Sequence, residues 1–587
     1  MKRMYGRFFL DALQRLYGAA SLVQPDIQTL HQLFQKFYSH LSGPLLMDEN
    51  SRLVLLEGIV KDRLGGSTLF DQSSDLLAPS LSSALAKMIE QLSAAGVSPD
   101  DLTLKIQGTE LSDKLQVRLL ADVYARYENA LHESNLTDPA GMRAYVRDHF
   151  DRAWLDCYRT IIIDGIQDVG KLEADILRKA AECGNCIYLV DAPSAEILKR
   201  AGEFHPLKIV KDSLGQIGVL PQEEDVGADT EQLFLASALF SDKTFNEIAK
   251  KAPDPTSFTK KMTLLSAVNT REEVTLIAEE VKNSLKDGTP ADSILVAFPA
   301  LDEYGPIVEE IFTDYGIPYN RALGRQLSTS AVATAMVSLL HACQEDFSGP
   351  SLLRVFSSPF LKFSDSPVIA SALDRLMRDR RITGGKQKLL AALNFYNPDA
   401  KDTDVLREPL HDLFAALEPF SVQDNLPLNV WMERLANLME WSGLGARVTL
   451  IKGPLNTNLQ AYKKLNEMLN SLTQAGKLFP SYRYSFSEWL FLVKKTFMHA
   501  RFQVPPEDEG GVQILGIEES LIRPWKEIYL GGLVDGEFPQ RLPQNIFLPE
   551  QTLETMGMRT LERARLNAAY HFYRLLLSAD KVTLTYP

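Results

Sequence analysis

The chain has 587 residues, 45% of them hydrophobic and 24% charged, with a formal net charge of -14 at pH 7. That length exceeds what one hydrophobic core organises and predicts three or four structural units, while the ordinary composition excludes a disordered or fibrous protein. The negative balance excludes a uniformly basic nucleic-acid binder, so any contact with phosphates must run through a local basic groove.

No uninterrupted apolar run approaches the ~18–20 residues needed to span a membrane. The opening MKRMYGRFFLDAL lacks a clean signal-peptide core and a small-residue cleavage site. Four cysteines, at 157, 183, 186 and 343, fit a reducing compartment better than a disulfide framework. Cys183-x-x-Cys186 has no second pair, and structural zinc wants four ligands, so no metal site is assigned to it. The reading is a cytoplasmic protein with no membrane contact.

In chain order, residues 1–155 carry helical periodicity in SRLVLLEGIVKDRL, ALAKMIEQLSAA, LQVRLLADVYARYENALHES and GMRAYVRDHFDRAWL. YRTIIID (158–164) then reads as a strand ending in an acid, KLEADILRKAAE as a helix, and CIYLVDA (186–192) as a second strand. That is the strand–helix–strand unit of a parallel sheet. MTLLSAV (262–268), REEVTLIAEEVKNSL, SILVAF, EYGPIVEEIFTDYG and IPYN begin a second alternation. Residues from about 330 to 505 return to helices, after which GVQILGI (511–517), EIYLGGL (527–533), a helix over ERARLNAAYHFYRLLLSA and KVTLTYP resume the sheet pattern. The two halves of this second α/β region are expected to close one sheet around the helical insertion.

IIIDGIQDVGKL (161–172) admits two readings. Gly165 and Gly170-Lys171 satisfy GxxxxGK between a strand and a helix, which is nearly a phosphate-binding loop. Position 172 is Leu, however, where that loop needs a hydroxyl for magnesium. Alternatively, three isoleucines and Asp164 form a strand whose carboxylate holds Mg²⁺.

The second reading resembles the UvrD-like superfamily 1 helicases, which carry Asp-Glu-x-Gln-Asp at the end of such a strand. Here Asp164, Gln167 and Asp168 match, and Gly165 stands where the catalytic glutamate would be. Thr29-Leu30-His31 stands where that family has a Thr-Phe-His DNA-contacting motif; a helix N-cap and a solvated helix face explain Thr29 and His31 equally well. The stretch from SAVNTREEV to GIPYN is similar to the entry of the second motor domain in AddB-like proteins, with Arg271 and Glu272 open to capping and helix-dipole roles. GVQILGIEESLIRPWKEIYLGGLVDGEFP and the closing ERARLNAAYHFYRLLLSADKVTLTYP occupy the places of helicase motifs V and VI. They depart from active members at Gly516, Glu518, Leu521 and Ile522, and at Leu577, Ser578 and Ala579. The family's arginine for the γ-phosphate is missing there, with Arg563, Arg565 and Arg574 as substitutes or plain surface residues.

The resemblance implies an α/β fold with two RecA-like parallel-sheet domains, each carrying a helical insertion. It places a first RecA-like domain, lacking its beginning, at 1–45 and 156–255 around an insertion at 46–155. A second occupies 256–345 and 509–587 around an insertion at 346–508. It implies an AddB-like subunit of a double-strand-break repair helicase–nuclease that grips DNA as an inactivated helicase, beside a motor partner of AddA type. ATP and Mg²⁺ are the implied cofactors, with Asp164, Gln167 and Asp168 as candidate magnesium and nucleotide residues. A PD-(D/E)XK nuclease domain follows the last strand in that family, and no Asp…Glu-x-Lys constellation stands in this sequence. Candidate DNA contacts are Thr29, His31 and the basic run Arg375, Arg378, Arg380, Arg381, Lys386 and Lys388, read as about four helical turns and a Gly-Gly loop. Tyr482, Tyr484 and Trp489 are candidate base-stacking surfaces. Two rival readings are a working ATP-dependent helicase or exonuclease whose P-loop and nuclease lie outside this chain, and an interaction scaffold with no DNA role.

Overall fold

A computed structural model describes residues 26–587 except 66–73, 108, 112–113, 166–167, 184–185, 190–205, 219–246, 248–260, 322–323, 366, 395–400, 423, 452–454, 505–509 and 522. The chain divides into two compact units, one formed by residues 1–46, 84–323 and 506–587, the other by 47–83 and 324–505. Among the described residues no helix is long and apolar enough to cross a membrane.

Among the described residues the first unit contains two main parallel sheets, besides a two-residue parallel pairing of Leu45–Leu46 with Leu136–Thr137. The smaller pairs β1 (Ile161–Asp164) with β2 (Cys186–Leu189), joined by helix α3 (Lys171–Ala181). Two earlier helices, α1 (Leu30–Ser39) and α2 (Pro139–Asp148), pack beside it. Helix α4 (Lys208–Ile217) lies against α3.

The larger sheet has six strands, all parallel: β3 (Met262–Ser266), β4 (Ile294–Phe298), β5 (Tyr319–Arg321), β6 (Val512–Gly516), β7 (Trp525–Leu530) and β8 (Ala579–Tyr586). Their order across the sheet is β3-β8-β7-β4-β6-β5, so strands from either side of the long helical segment interleave. The α/β fold expected from the alternating pattern is therefore present, and one sheet is closed by both halves of the region.

Burial on both faces explains the apolar runs. Every residue of β4 and β6 is buried, as a parallel sheet covered on both sides requires. Ile294, Val296 and Phe298 face one layer made by α5 (Thr270–Lys286) and α6 (Leu301–Asp314). Leu295 and Ala297 alternate to the other face, against Leu575 and Leu576 of α7 (Leu561–Leu577).

The second unit is built from helices. Its longer segment, 324–505, enters and leaves side by side, because Arg325–Gln326 pairs antiparallel with Arg501–Phe502. At its centre the rings of Trp431 and Trp489 stack 5.2 Å apart, with Phe420 and Phe486 packed on them. The Trp431 indole donates to the Tyr484 carbonyl at 2.9 Å. Lys495 and Glu57 form an ion pair of 3.0 Å inside this helical core, and burial raises the Glu57 carboxyl above the ordinary range. Gly58 is required here: a methyl group on it would lie 2.3 Å from the Tyr482 ring.

Candidate nucleotide and nucleic-acid sites

β1 ends in Asp164, an exposed carboxylate at the carboxyl end of a parallel strand, where such sheets present ligand-binding groups. Gly165 follows with φ +77°, a left-handed conformation that glycine adopts without a Cβ penalty. Gln167 lies outside the described residues. Gly170 is the N-cap of α3, and its N–H donates to Glu173 at 3.4 Å; Val169 N–H donates to the buried Ser213 hydroxyl of α4 at 3.4 Å.

These bonds decide against the phosphate-loop reading of GxxxxGK. Two amides such a loop would offer to phosphate, those of Val169 and Gly170, are engaged within the chain, and Leu172 is buried in the core rather than placed beside a ligand. The signal was the leucine itself: an apolar residue on the inner face of a new helix follows from core packing.

Asp168 has a different fate. Its Oδ1 accepts from Nε of Arg563 at 2.7 Å, and its Oδ2 faces Nε of Arg559 at 3.5 Å. Arg563, Asn567, His571 and Arg574 recur at helical spacing along α7, so one face of this helix is polar. Asn567 and His571 are buried, and the His571 Nδ1 stands 4.0 Å from Glu518, just beyond the end of β6. Burial holds the His571 imidazole below the ordinary histidine range; Arg559 and Arg574 add to this and Glu518 and Asp168 oppose it. The Arg563 Nη2 and Asn567 Oδ1 are buried without hydrogen-bond partners among the described residues.

At the other end of α7, Ser578 is the C-cap. Its hydroxyl donates to the Leu575 carbonyl at 3.0 Å, and its own carbonyl accepts from Trp525 N–H at 2.7 Å. It carries no cation. Arg565 is exposed, and Arg574 donates to the Tyr570 hydroxyl at 3.5 Å.

A magnesium nucleotide does not fit these residues as a hydrolytic site. Asp164 offers a carboxylate, Gly165 has no side chain with which to polarise water, and Asp168 already neutralises the arginine nearest to it. A phosphate entering at Arg563 would have to displace Asp168 and leave that carboxylate beside its own negative charge.

Thr29 caps α1, accepting from Gln32 N–H at 3.2 Å while Gln32 reaches back to the Thr29 N–H. Leu30 between Thr29 and His31 packs against Ile163 and Val169, which sets both neighbours on the exposed side. Close by, Asp26 accepts from Tyr158 at 2.7 Å, from Gln28 at 2.8 Å and from Lys36 at 3.1 Å; these contacts lower the Asp26 carboxyl to about 2.

The basic run lies in the helical unit, and it is not one continuous helical face. The helix Pro367–Arg380 ends there; Arg381 takes φ +54°, and Lys386 and Lys388 belong to the next helix, Lys386–Asn394. Gly384 and Gly385 make that break because they press on another turn: a Cβ on Gly384 would lie 3.0 Å from the Ser348 Cα, and Gly385 N–H donates to the Asp346 carbonyl at 2.7 Å. Arg375, Arg378, Arg380, Arg381 and Lys388 are exposed, with Arg378 paired to Asp374 at 2.9 Å and Lys386 paired to Glu418. Tyr484 and Trp489 are not base-stacking surfaces. They are 4% and 0% exposed, held in the aromatic core, and present no face to a base. Tyr482 is half-buried against Gly58.

Arg271 and Glu272 take the structural roles. Arg271 forms a two-point pair with Glu310 on the surface, and Glu272 accepts from Val268 N–H at 3.3 Å near the helix start capped by Asn269. Their neighbour Glu273 carries more. It is fully buried and accepts from Thr585 Oγ1 at 2.6 Å, Gly532 N–H at 2.8 Å and Tyr304 Oη at 2.9 Å, tying α5, α6, β8 and the turn after β7 together. A charge in an otherwise apolar helix face was the only sequence sign of it.

No protein-family model matches the chain. It is similar to proteins named as the B subunit of an ATP-dependent helicase/deoxyribonuclease. One from Staphylococcus carnosus is 21% identical over 62% of this chain and 32% of its own length. One from Clostridium botulinum is 18% identical over 92% of this chain and 50% of its own length, and one from Lacticaseibacillus casei is 23% identical over 59% and 32%. The chain thus spans about half the length, or less, of the curated relatives it matches. These similarities are at low identity, and each covers half of the relative's own length or less.

Proposed function

We propose that this chain belongs to a helicase–nuclease acting in double-strand-break repair and recombination, and that it works there as an inactivated-helicase scaffold that holds DNA. The observation carrying this reading is the Asp168–Arg563 pair: the carboxylate and the arginine meet each other rather than the two sides of a nucleotide. Gly165, without a carboxylate, points the same way.

On this reading translocation comes from a motor partner of AddA type, which uses ATP and Mg²⁺, and strand cutting from a PD-(D/E)XK domain. The two RecA-like halves are 1–45 with 156–255, and 256–345 with 509–587. DNA runs over the helical unit at Arg375, Arg378, Arg380, Arg381, Lys386 and Lys388, with Thr29 and His31 as a second contact. Charge supports this division. The helical unit carries 24 lysines and arginines against 22 aspartates and glutamates, leaving 38 against 54 in the α/β unit. The whole excess of negative charge therefore sits outside the proposed phosphate-tracking unit.

The test is binding of the chain to a tailed DNA duplex across a salt series, with ATP hydrolysis measured in parallel. Salt-dependent binding without DNA-stimulated hydrolysis is the expected result. Robust DNA-stimulated hydrolysis that disappears in Asp164→Asn would defeat the scaffold reading. Absent or salt-insensitive binding at low ionic strength would favour a scaffold with no DNA role.

A further inference from the structure

We infer that Asp168, Arg563 and Arg559 form an ion-pair bridge that docks the β1–α3 region onto the six-stranded sheet without nucleotide. This goes beyond the DNA-holding reading and stands on packing alone.

The bridge connects segments almost four hundred residues apart in sequence, the loop after β1 and the first turn of α7. It is not a surface contact of little value. The Asp168 and Arg563 side chains are 18% and 25% exposed, so solvent screens them less than an open pair.

Behind it lies an apolar contact. Leu207, Ile209 and Val210, at the start of α4, pack against Tyr570 and Tyr573 of α7, all five buried. The Val169–Ser213 hydrogen bond ties the Asp168 loop to α4. The loop, α4 and α7 therefore form one contact, apolar at its centre with the carboxylate–arginine pair beside it. Buried His571, two turns along α7 from Arg563, adds no second positive charge in its neutral form.

In a nucleotide-driven pair of lobes, the ligand's phosphates would supply the negative charge between them, and docking would follow binding and release. Here the chain supplies that charge itself through Asp168. An arginine whose Nε already meets an internal carboxylate gives a phosphate less differential affinity for the docked state, so docking does not depend on nucleotide.

Hydrogen–deuterium exchange on the full chain tests this, reading peptides over Lys208–Ile217 and Leu561–Leu577. Both should be protected in the absence of nucleotide, and ATP or ADP with Mg²⁺ should leave their rates unchanged within about twofold. Asp168→Asn and Arg563→Gln should each speed exchange about tenfold or more in both peptides while β4 and β6 stay protected. The swap Asp168→Arg with Arg563→Asp should recover much of the protection, and Arg559→Gln should give a smaller effect at its longer distance. Should a single variant fail to fold, the swap and Arg559→Gln carry the test. Nucleotide-dependent protection in the parent chain, or unchanged exchange in every variant, would overturn the bridge. DNA binding measured on the same variants separates the two ideas: loss of binding with intact protection defeats the DNA reading and leaves the bridge standing.

Discussion

The two units solve the burial of polar groups differently. The α/β unit holds its segments with carboxylates that each collect several donors: Glu273 takes three, and Glu527 accepts from Ser284, Thr289 and Tyr529 and lies 3.6 Å from Lys581. The helical unit places the Lys495–Glu57 ion pair inside a largely apolar and aromatic core. The difference teaches where charge is spent. Parallel strands end in exposed amides and carbonyls, which acids and hydroxyls can join, whereas packed helices satisfy their own backbones and need side-chain volume instead.

The sharpest way to break this comparison is to remove volume from the helical core. Trp489→Ala should destabilise that unit by about 3–5 kcal/mol, seen as a separate early transition in denaturant, while the α/β unit unfolds as before. A loss confined to DNA affinity with unchanged stability would instead restore Trp489 as a stacking surface.

Charge reversal comes next. Arg375→Glu combined with Arg378→Glu and Arg381→Glu should lower affinity for tailed duplex about 100-fold at low salt and flatten the salt dependence by roughly two to three in slope. An unchanged slope would remove this face from the phosphate path.

Titration sharpens the contrast from the other side. In the α/β unit, burial and then the nearby Asp138 carboxylate push Glu128 up to about 7 from an ordinary 4.5. The folded chain then binds more protons than the unfolded chain between those values, so this group's contribution falls as pH rises from 4.5 to 7 and stays low above. Glu128→Gln should therefore stabilise the unit at pH 8, by up to about 3 kcal/mol, and much less at pH 5. Equal effects at both pH values would show that Glu128 is solvated.

The smallest expected effect is at the surface. Arg271→Ala removes a well-formed pair with Glu310, yet both groups are exposed, and no change in melting temperature is expected. A measurable loss would mean that Arg271 has a role beyond this pair.

Much of the α/β fold was legible in sequence, because a strand covered on both faces must be an unbroken apolar run. ILVAF and VQILG are such runs, and every residue of both strands is buried. The failures were of two kinds. Tyr484 and Trp489 look like base-stacking residues in a polar stretch, but a sequence does not say which aromatic rings find one another, and Trp431 lies nearly sixty residues away. In the basic run the Gly-Gly loop is legible, but not that Arg381 leaves the helix or what the loop presses on. The break depends on the Asp346–Ser348 turn, against which only glycine can press.

By itself the sequence determined the strand–helix alternation, the glycine after Asp164 and the apolar Leu172, since each follows from local chemistry. Strand order was decided only in three dimensions: β7 and β8 slip between β3 and β4, and β6 between β4 and β5, a choice no single run encodes. The fate of Asp168 was decided there too. A carboxylate at that position can serve a metal, a phosphate-bound arginine or an arginine of its own chain. The packing of α4 on α7 brings Arg563 to 2.7 Å and selects the last.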